Sequence, residues 1–167
     1  VAIIGIGGTG CIAASLLARL PLKELLLIDG DIVEECNLER QILFSPTDLH
    51  QKKAIMAAEK LSVFGNVTNR DIFFSAEHSS IVSEFDLIID CTDNMQAREA
   101  IKNVSNERDI PWIMTGAVAN RGQVAFVKPK EDRINKLIEH KDNEFCSQVG
   151  ALNAAPNIIG SWAVDMA

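Results

Sequence analysis

The first ten residues, VAIIGIGGTG, restrict the fold more than any other stretch. A short apolar run meets Gly5, Gly7, Gly8 and Gly10, and the apolar helical pattern CIAASLLARL follows at once. ELLLIDGD (24–31) then reads as a second buried strand ending in acids. Strand, glycine turn, helix and strand within about thirty residues form the βαβ unit of a parallel sheet. Glycines let the backbone take positive φ and come close to an anion. The following helix offers that anion free N–H groups and the positive end of its dipole. Asp29 lies 19 residues beyond Gly10, where an acid accepts hydrogen bonds from ribose hydroxyls. The spacing predicts a bound nucleotide rather than a turn merely tightened by glycine. By itself it does not separate NAD, FAD and ATP.

The segment after Asp29 narrows the choice. DGDIVEECNLERQ places Asp31, Asn37, Arg40 and Gln41 just past the second strand. A dinucleotide has no need of an arginine there. A triphosphate does, because its cleavage builds negative charge that a fixed guanidinium can stabilise. Lys53 adds a second cation from the next helix, and Lys52 points about 100° away around it. FDLIIDCTDN (85–94) reads as a buried strand that delivers Asp93 to the ligand edge of the sheet, with Asp90 structural. A carboxylate at that edge suits Mg²⁺, which takes one or two carboxylates together with phosphate oxygens. Glycine turn, ribose acid, Arg40, Lys53 and Asp93 together describe a magnesium–ATP site.

The remaining elements alternate in the same way. Helix is expected over 47–61, started by Pro46 and Thr47, and strand over 67–74. Asn94 is expected to cap the helix MQAREAIKNVSNE. WIMTGAV and GQVAFVKP read as strands whose connection is too short for a helical crossover, so they pair antiparallel. Residues 129–149 show no apolar period and read as a mobile loop or a short helix. Pro156, Ile158, Ile159, Trp162, Ala163 and Met166 fall at helical spacing on one face. The expected fold is α/β, doubly wound and mostly parallel with an antiparallel extension, in one domain over 1–167 that reads as trimmed at both ends.

Composition limits the partners. With 16 Lys and Arg against 23 Asp and Glu the net charge is −7, which argues against a general nucleic-acid or anionic-membrane binder. No apolar run reaches the roughly 18 residues of a membrane span. Cys11, Cys36, Cys91 and Cys146 form no C-x-x-C pair, so neither a zinc ribbon nor a disulfide framework is indicated, and a cytoplasmic location is expected. Cys11 and Cys91 fall in apolar segments and are expected to pack. The three histidines, His50, His78 and His140, stand among polar residues and are expected to be solvated.

In GIGGTGCIAASLLA, LLLIDGDIVEECNLERQ, HQKKA, DLIIDCTDN with Arg98, TGAVANRGQVAF and GALNAAPNIIGSWAVDMA the chain resembles the ThiF/MoeB/HesA family, prokaryotic relatives of the ubiquitin-activating enzymes. The resemblance implies a Rossmann-like fold and a reaction in which a carboxylate attacks the α-phosphorus of MgATP and pyrophosphate leaves. The carboxylate is usually the C-terminal glycine of a ubiquitin-like carrier protein. The resemblance also implies that Gly8 lies against the phosphates and Asp29 holds the ribose. Asn37, Arg40 and Lys53 surround the polyphosphate, and Asp93 holds magnesium, with Asn94 beside it. Cys146, in FCSQVG, stands where sulfur-carrier activators place a cysteine before the last helix, so it is a candidate acceptor of the activated carboxylate or of sulfur.

Three departures qualify the resemblance. The first C-x-x-C pair of typical members is replaced by KPKEDRINKLIEHKDNEFC, so zinc is not expected here. HQKK (50–53) stands in place of G-x-P-K. The upstream helix that gives an arginine to a partner subunit, and the tail that grips the carrier, are not in this sequence. The competing readings are adenylation of a small cofactor precursor, such as a guanylylpyridinol carboxylate, or of a tRNA-bound carboxylate. An NAD-dependent oxidoreductase and a non-catalytic subunit are weaker alternatives. A homodimer is expected.

Overall fold

The computed structural model describes residues 1–118, 121–131 and 154–167. Its strands are β1 (Ala2–Ile4), β2 (Leu25–Ile28), β3 (Val67–Arg70), β4 (Ile88–Asp90), β5 (Trp112–Val118) and β6 (Arg121–Val127). Its helices are α1 (Gly8–Leu17), α2 (Lys53–Leu61), α3 (Ser79–Val82), α4 (Met95–Arg108) and α5 (Ala154–Asp165). The six strands form one sheet in the order β3-β2-β1-β4-β5-β6. All neighbours run parallel except β5 and β6, which pair antiparallel from Trp112↔Val127 to Val118↔Arg121. The order reverses between β1 and β4, which opens a crevice at the carboxyl ends of those strands.

Both faces of the sheet are covered, so the central strands are apolar on both sides. Ile3, Leu25, Leu27, Ile89 and Ile113 face a core shared with Ala13, Ala14, Leu17, Ala57, Leu61 and Ala163. Ala2, Ile4, Leu26, Ile28, Ile88, Trp112 and Met114 face the opposite core, with Val82, Ala100, Ile101 and Val104. Neighbouring residues of one strand thus alternate between two cores, as the pleat requires.

The β4–α4 corner is tied by a buried ion pair. Arg98 Nε donates to Asp90 Oδ2 at 2.7 Å, and its Nη2 donates to the carbonyls of Thr92 (3.0 Å) and Thr115 (2.9 Å). Asp90, fully buried, also accepts from Thr92 N at 2.9 Å and Thr92 Oγ1 at 2.6 Å. Thr115 Oγ1 closes the network on the Asp90 carbonyl at 2.7 Å. As expected, Asn94 caps α4, its side chain accepting from Ala97 N at 2.8 Å.

Several boundaries differ from the sequence expectation. The helix expected over 47–61 begins only at Lys53; Pro46–Asp48 is a separate 3₁₀ turn. Between them His50 takes φ 67°, Ile32 and Lys52 form an antiparallel bridge, and Lys53 N donates to Asp31 O at 3.0 Å. The strand expected over 67–74 ends at Arg70. The apolar stripe of the last helix divides. Pro156, Ile159, Gly160 and Ala163 are buried, and α5 packs on α1, β5 and β6. Ile158, Trp162 and Met166 are exposed, Trp162 at 61%. His78 is not simply solvated, since its Nδ1 accepts from Ser75 N at 3.2 Å and its ring lies 6.4 Å from that of Phe74. Of the loop expected over 129–149, residues 132–149 lie outside the described residues, as do Cys146 and His140.

Two outcomes follow from this packing. Arg98→Ala leaves Asp90 buried and unpaired, so it should cost about 3–5 kcal/mol, read as a lowered urea midpoint; an unchanged midpoint would contradict the network. Burial pushes the Cys11 thiol up to about 12, while Cys36 is exposed. Iodoacetamide on native protein should therefore alkylate Cys36 and spare Cys11 by peptide mass mapping, and the reverse would contradict the packing of α1.

Candidate functional site

The crevice between β1 and β4 is floored by the glycine turn. Gly5 takes φ 92°, and a Cβ on it would stand 2.7 Å from the Cys91 carbonyl. Only glycine lets β1 leave the sheet so close to the end of β4. A Cβ at Gly10 would run into the Gly5 carbonyl, which fixes α1 tightly on the turn. Gly7 is the N-cap of α1 and makes no side-chain cap, and the first turn of α1 holds no acid. The leading N–H groups of a helix have no intrahelical acceptor. Here they follow directly on Ile6, whose N–H donates to the Asp29 carboxylate.

The four glycines are not equivalent. A Cβ on Gly7 would find nothing nearer than Gln41 Nε2 at 3.9 Å. One on Gly8 would meet Pro156 Cβ at 3.0 Å and the Arg40 carbonyl at 3.4 Å. The turn thus has open room at Gly7, whereas Gly8 is wedged between α5 and the 35–41 loop.

Asp29 leaves the end of β2 and reaches over this turn. Its Oδ2 accepts from Ile6 N at 2.6 Å and its Oδ1 from Asp31 N at 2.8 Å. These bonds fix the carboxylate while each oxygen keeps further acceptor capacity. Burial pushes its pKa up from the ordinary value, against the lowering effects of Lys53 and of the Asp31 and Ile6 N–H groups.

Lys53 is the most informative side chain. It is 6% exposed and opens α2, whose N-terminus carries the positive end of the helix dipole. Its Nζ meets Asp31 Oδ2 at 3.1 Å, and that carboxylate is largely exposed. A buried ammonium at the positive end of a helix, ion-paired to the solvated Asp31 and acting also on Asp29, sits where the helix dipole opposes its charge. Such placements mark functional positions. Lys52 turns elsewhere, to Gly30 O at 3.3 Å and Asp71 Oδ1 at 3.1 Å.

The 35–41 loop is brought to the turn but spends its side chains on itself. Arg40 Nη1 donates to Cys36 O at 2.8 Å and pairs with Glu39 Oε1 at 3.1 Å. Reaching a phosphate requires its side chain to rotate. Asn37 is buried, its Oδ1 accepting from Glu34 N at 3.3 Å and its Nδ2 lying 3.5 Å from Cys36 Sγ. Gln41, noted in the sequence without a role, is 3% exposed, and its Oε1 has no hydrogen-bond partner among the described residues. Asp93 is exposed in the loop that follows β4, and Asn94 is committed to the α4 cap. No group of three or more His, Cys, Asp or Glu able to hold a metal occurs among the described residues. One carboxylate with phosphate oxygens is sufficient for Mg²⁺, so Asp93 fits a metal that arrives with its nucleotide.

The donor set fits a nucleotide polyphosphate: an open glycine turn, an uncapped helix N-terminus, a buried ammonium and a fixed acid for ribose hydroxyls. Among the described residues no helix is long and apolar enough to cross a membrane.

The chain is similar to several known proteins. The chain is 30% identical over 167 residues to the molybdopterin-synthase adenylyltransferase of Haemophilus influenzae, covering 95% of this chain and 68% of that protein. It is 33% identical over 147 residues to ubiquitin-like modifier-activating enzyme 5 of Drosophila grimshawi, covering 77% of this chain and only 37% of the relative. In structure it is similar to E. coli MccB crystallised with ATP (TM-score 0.79, 21% identity, 98% of this chain, 52% of that one). It is also similar to TcdA (CsdL) (TM-score 0.81, 23% identity, 99% and 82%). These last two likenesses speak to the fold. The ThiF family model matches residues 1–167, and the chain belongs to the ThiF family.

Proposed function

We propose that this chain carries the adenylation site of an enzyme that activates a carboxylate with ATP. The favoured carboxylate is the C-terminal glycine of a ubiquitin-like sulfur-carrier protein. The observation that carries the reading is Lys53, buried at the N-terminus of α2 beside the glycine turn, ion-paired to the exposed Asp31 and close enough to Asp29 to act on its carboxylate. A polyphosphate supplies further negative charge to an ammonium that burial and the positive end of the helix dipole both disfavour. The relatives named as an adenylyltransferase and an activating enzyme support the same chemistry.

The reaction asks little covalent work of the protein. A carboxylate oxygen of the carrier forms a bond to the α-phosphorus of ATP, and the bond from that phosphorus to the bridging oxygen breaks. The electron pair leaves with pyrophosphate, and an acyl-adenylate remains. The attacking carboxylate is already ionised, so no side-chain nucleophile or general base is needed for this step. Positioning and charge stabilisation supply the rate. Asp29 holds the ribose, and Asp31 orients Lys53. Lys53 and a rotated Arg40 meet the charge that grows on the departing pyrophosphate. Gly5, Gly7, Gly8 and Gly10 form the floor, and Asn37 shapes the 35–41 loop. Bound Mg²⁺, held by Asp93 with Asn94 fixing the loop end, would neutralise phosphate charge. A later step of the same proposal has the Cys146 thiolate form a bond to the acyl carbon as the bond to the adenylate oxygen breaks and AMP leaves.

A second reading, adenylation of a small carboxylate, is favoured by one feature: the region before Cys146 lacks the C-x-x-C pair of typical carrier activators. Net charge −7 disfavours a tRNA-bound carboxylate. The exposed Ile158, Trp162 and Met166 support a homodimer, and a cytoplasmic location is part of the same proposal.

Pyrophosphate–ATP exchange on the full-length protein tests the reading. Carrier-dependent exchange supports the first substrate, exchange only with small acids supports the second, and none with either contradicts adenylation. Lys53→Met should lower exchange at least about a hundredfold while leaving the denaturation midpoint unchanged or raised, since an apolar group replaces a poorly compensated buried charge. Near wild-type exchange would remove Lys53 from the site. Acid provides a further check. Raised by burial, Asp29 protonates above the ordinary aspartate value of about 3.9, and the neutral acid is a weaker ribose acceptor. ATP affinity by calorimetry should therefore begin to fall on acidification above that pH. Asp29→Asn should bind weakly throughout, without that fall; the ligand's own titration is common to both proteins. Parallel pH profiles would contradict the ribose role.

A further inference from the structure

Phe73 is a large side chain at the ligand edge that the adenylation reading leaves unused. It is 68% exposed, although the adjacent Phe74 is buried in the core. Its ring lies against the main chain of Gly30, where a Cβ would stand 2.7 Å from Phe73 Cγ and 2.7 Å from Phe73 N. Gly30 directly follows Asp29, and Asp29 N donates to Arg70 O at 3.3 Å, so the chain ends of β2 and β3 run side by side here. Lys52 ties them together, its Nζ reaching Gly30 O at 3.3 Å and Asp71 Oδ1 at 3.1 Å. The result is an aromatic ring backed by glycine main chain and open to solvent, one residue along from the acid assigned to the ribose.

We propose that Phe73 is the platform on which the purine base of the nucleotide stacks, and that Lys52 is a positioning residue holding the 71–73 segment against Gly30. The inference rests on the nucleotide reading above and assigns a base-recognising residue to it. The geometry favours this because the base is joined to the ribose and must leave the Asp29 carboxylate toward one side of the crevice. An exposed ring already fixed against backbone loses little freedom on stacking. Stacking on an aromatic face tolerates any base but is stronger for a larger ring system. Phe73 therefore grades purine above pyrimidine triphosphates rather than excluding the latter. The HQKK sequence that departs from the family pattern supplies Lys52 to this arrangement.

Two probes separate the base from the phosphates: MgATP, and magnesium tripolyphosphate, which has neither base nor ribose. Calorimetry on the full-length protein should show Phe73→Ala weakening ATP binding about tenfold with tripolyphosphate binding unchanged. Phe73→Trp should retain ATP affinity, and its added fluorescence should be quenched by ATP and not by tripolyphosphate. Lys52→Met should weaken ATP alone, and Lys52→Arg should restore it. Unchanged ATP affinity in Phe73→Ala, or equal loss for both probes, would overturn the platform. Parent protein that binds neither probe would overturn the nucleotide reading itself, and the platform with it. Phe73 is largely exposed, so its replacement leaves the core intact.

Discussion

The approach of Gly5 to the Cys91 carbonyl at the junction of β1 and β4 is the constraint on which the rest of the molecule depends. Any side chain at Gly5 would push the two strand ends apart, and the chain there takes φ 92°. Because sheet order reverses at this junction, the crevice at its carboxyl end cannot be filled by a crossover helix. The glycine turn, the uncapped start of α1 and the β4–α4 loop all open into it. The buried Asp90–Arg98 pair acts in support. It spends a desolvated ion pair on fixing the loop that carries Asp93, an arrangement better explained by precise placement than by net stability.

Charge in this site runs against what folding alone would choose. Lys53 sits at the positive end of α2, nearly out of water, with the solvated Asp31 and the buried Asp29 carboxylate near it. Asp29 is raised by burial and still held by two N–H groups. Each is a cost to the free protein that a bound nucleotide would offset, by phosphate charge at Lys53 and hydroxyl donors at Asp29. At the Lys60–Asp48 pair, by contrast, burial of the acid is outweighed by Lys60 and by the Ser45 hydroxyl and N–H, which hold its carboxyl below the ordinary value.

Much of this architecture is legible in the sequence because local pattern and tertiary role agree. The turn from Gly5 to Gly10 joins an apolar strand to an apolar helix, Asn94 caps the helix it precedes, and the short link after Val118 joins antiparallel strands. What is not legible is where tertiary bonds override local preference. Pro46 and Thr47 read as a helix start, yet the bridge from Ile32 to Lys52 and the bond from Lys53 N to Asp31 postpone α2. That delay sets Lys53 at the helix N-terminus and frees Lys52 for Gly30. The α5 stripe splits because α1, β5 and β6 cover only one side of it. The paired phenylalanines at 73 and 74 signal one ring in and one out, but sequence does not say which. The orientation of Arg40 is likewise not legible in the sequence, since its own loop offers the guanidinium a carbonyl and an acid.

The central claim is that the crevice is built for a polyphosphate and not for a dinucleotide. Calorimetric titration of the full-length protein with MgATP and, separately, with NAD⁺ tests it most directly. The account predicts saturable ATP binding that is lost in Lys53→Met, and no measurable binding of NAD⁺. NAD⁺ binding as tightly as ATP, or ATP binding that survives loss of Lys53 unchanged, would contradict it.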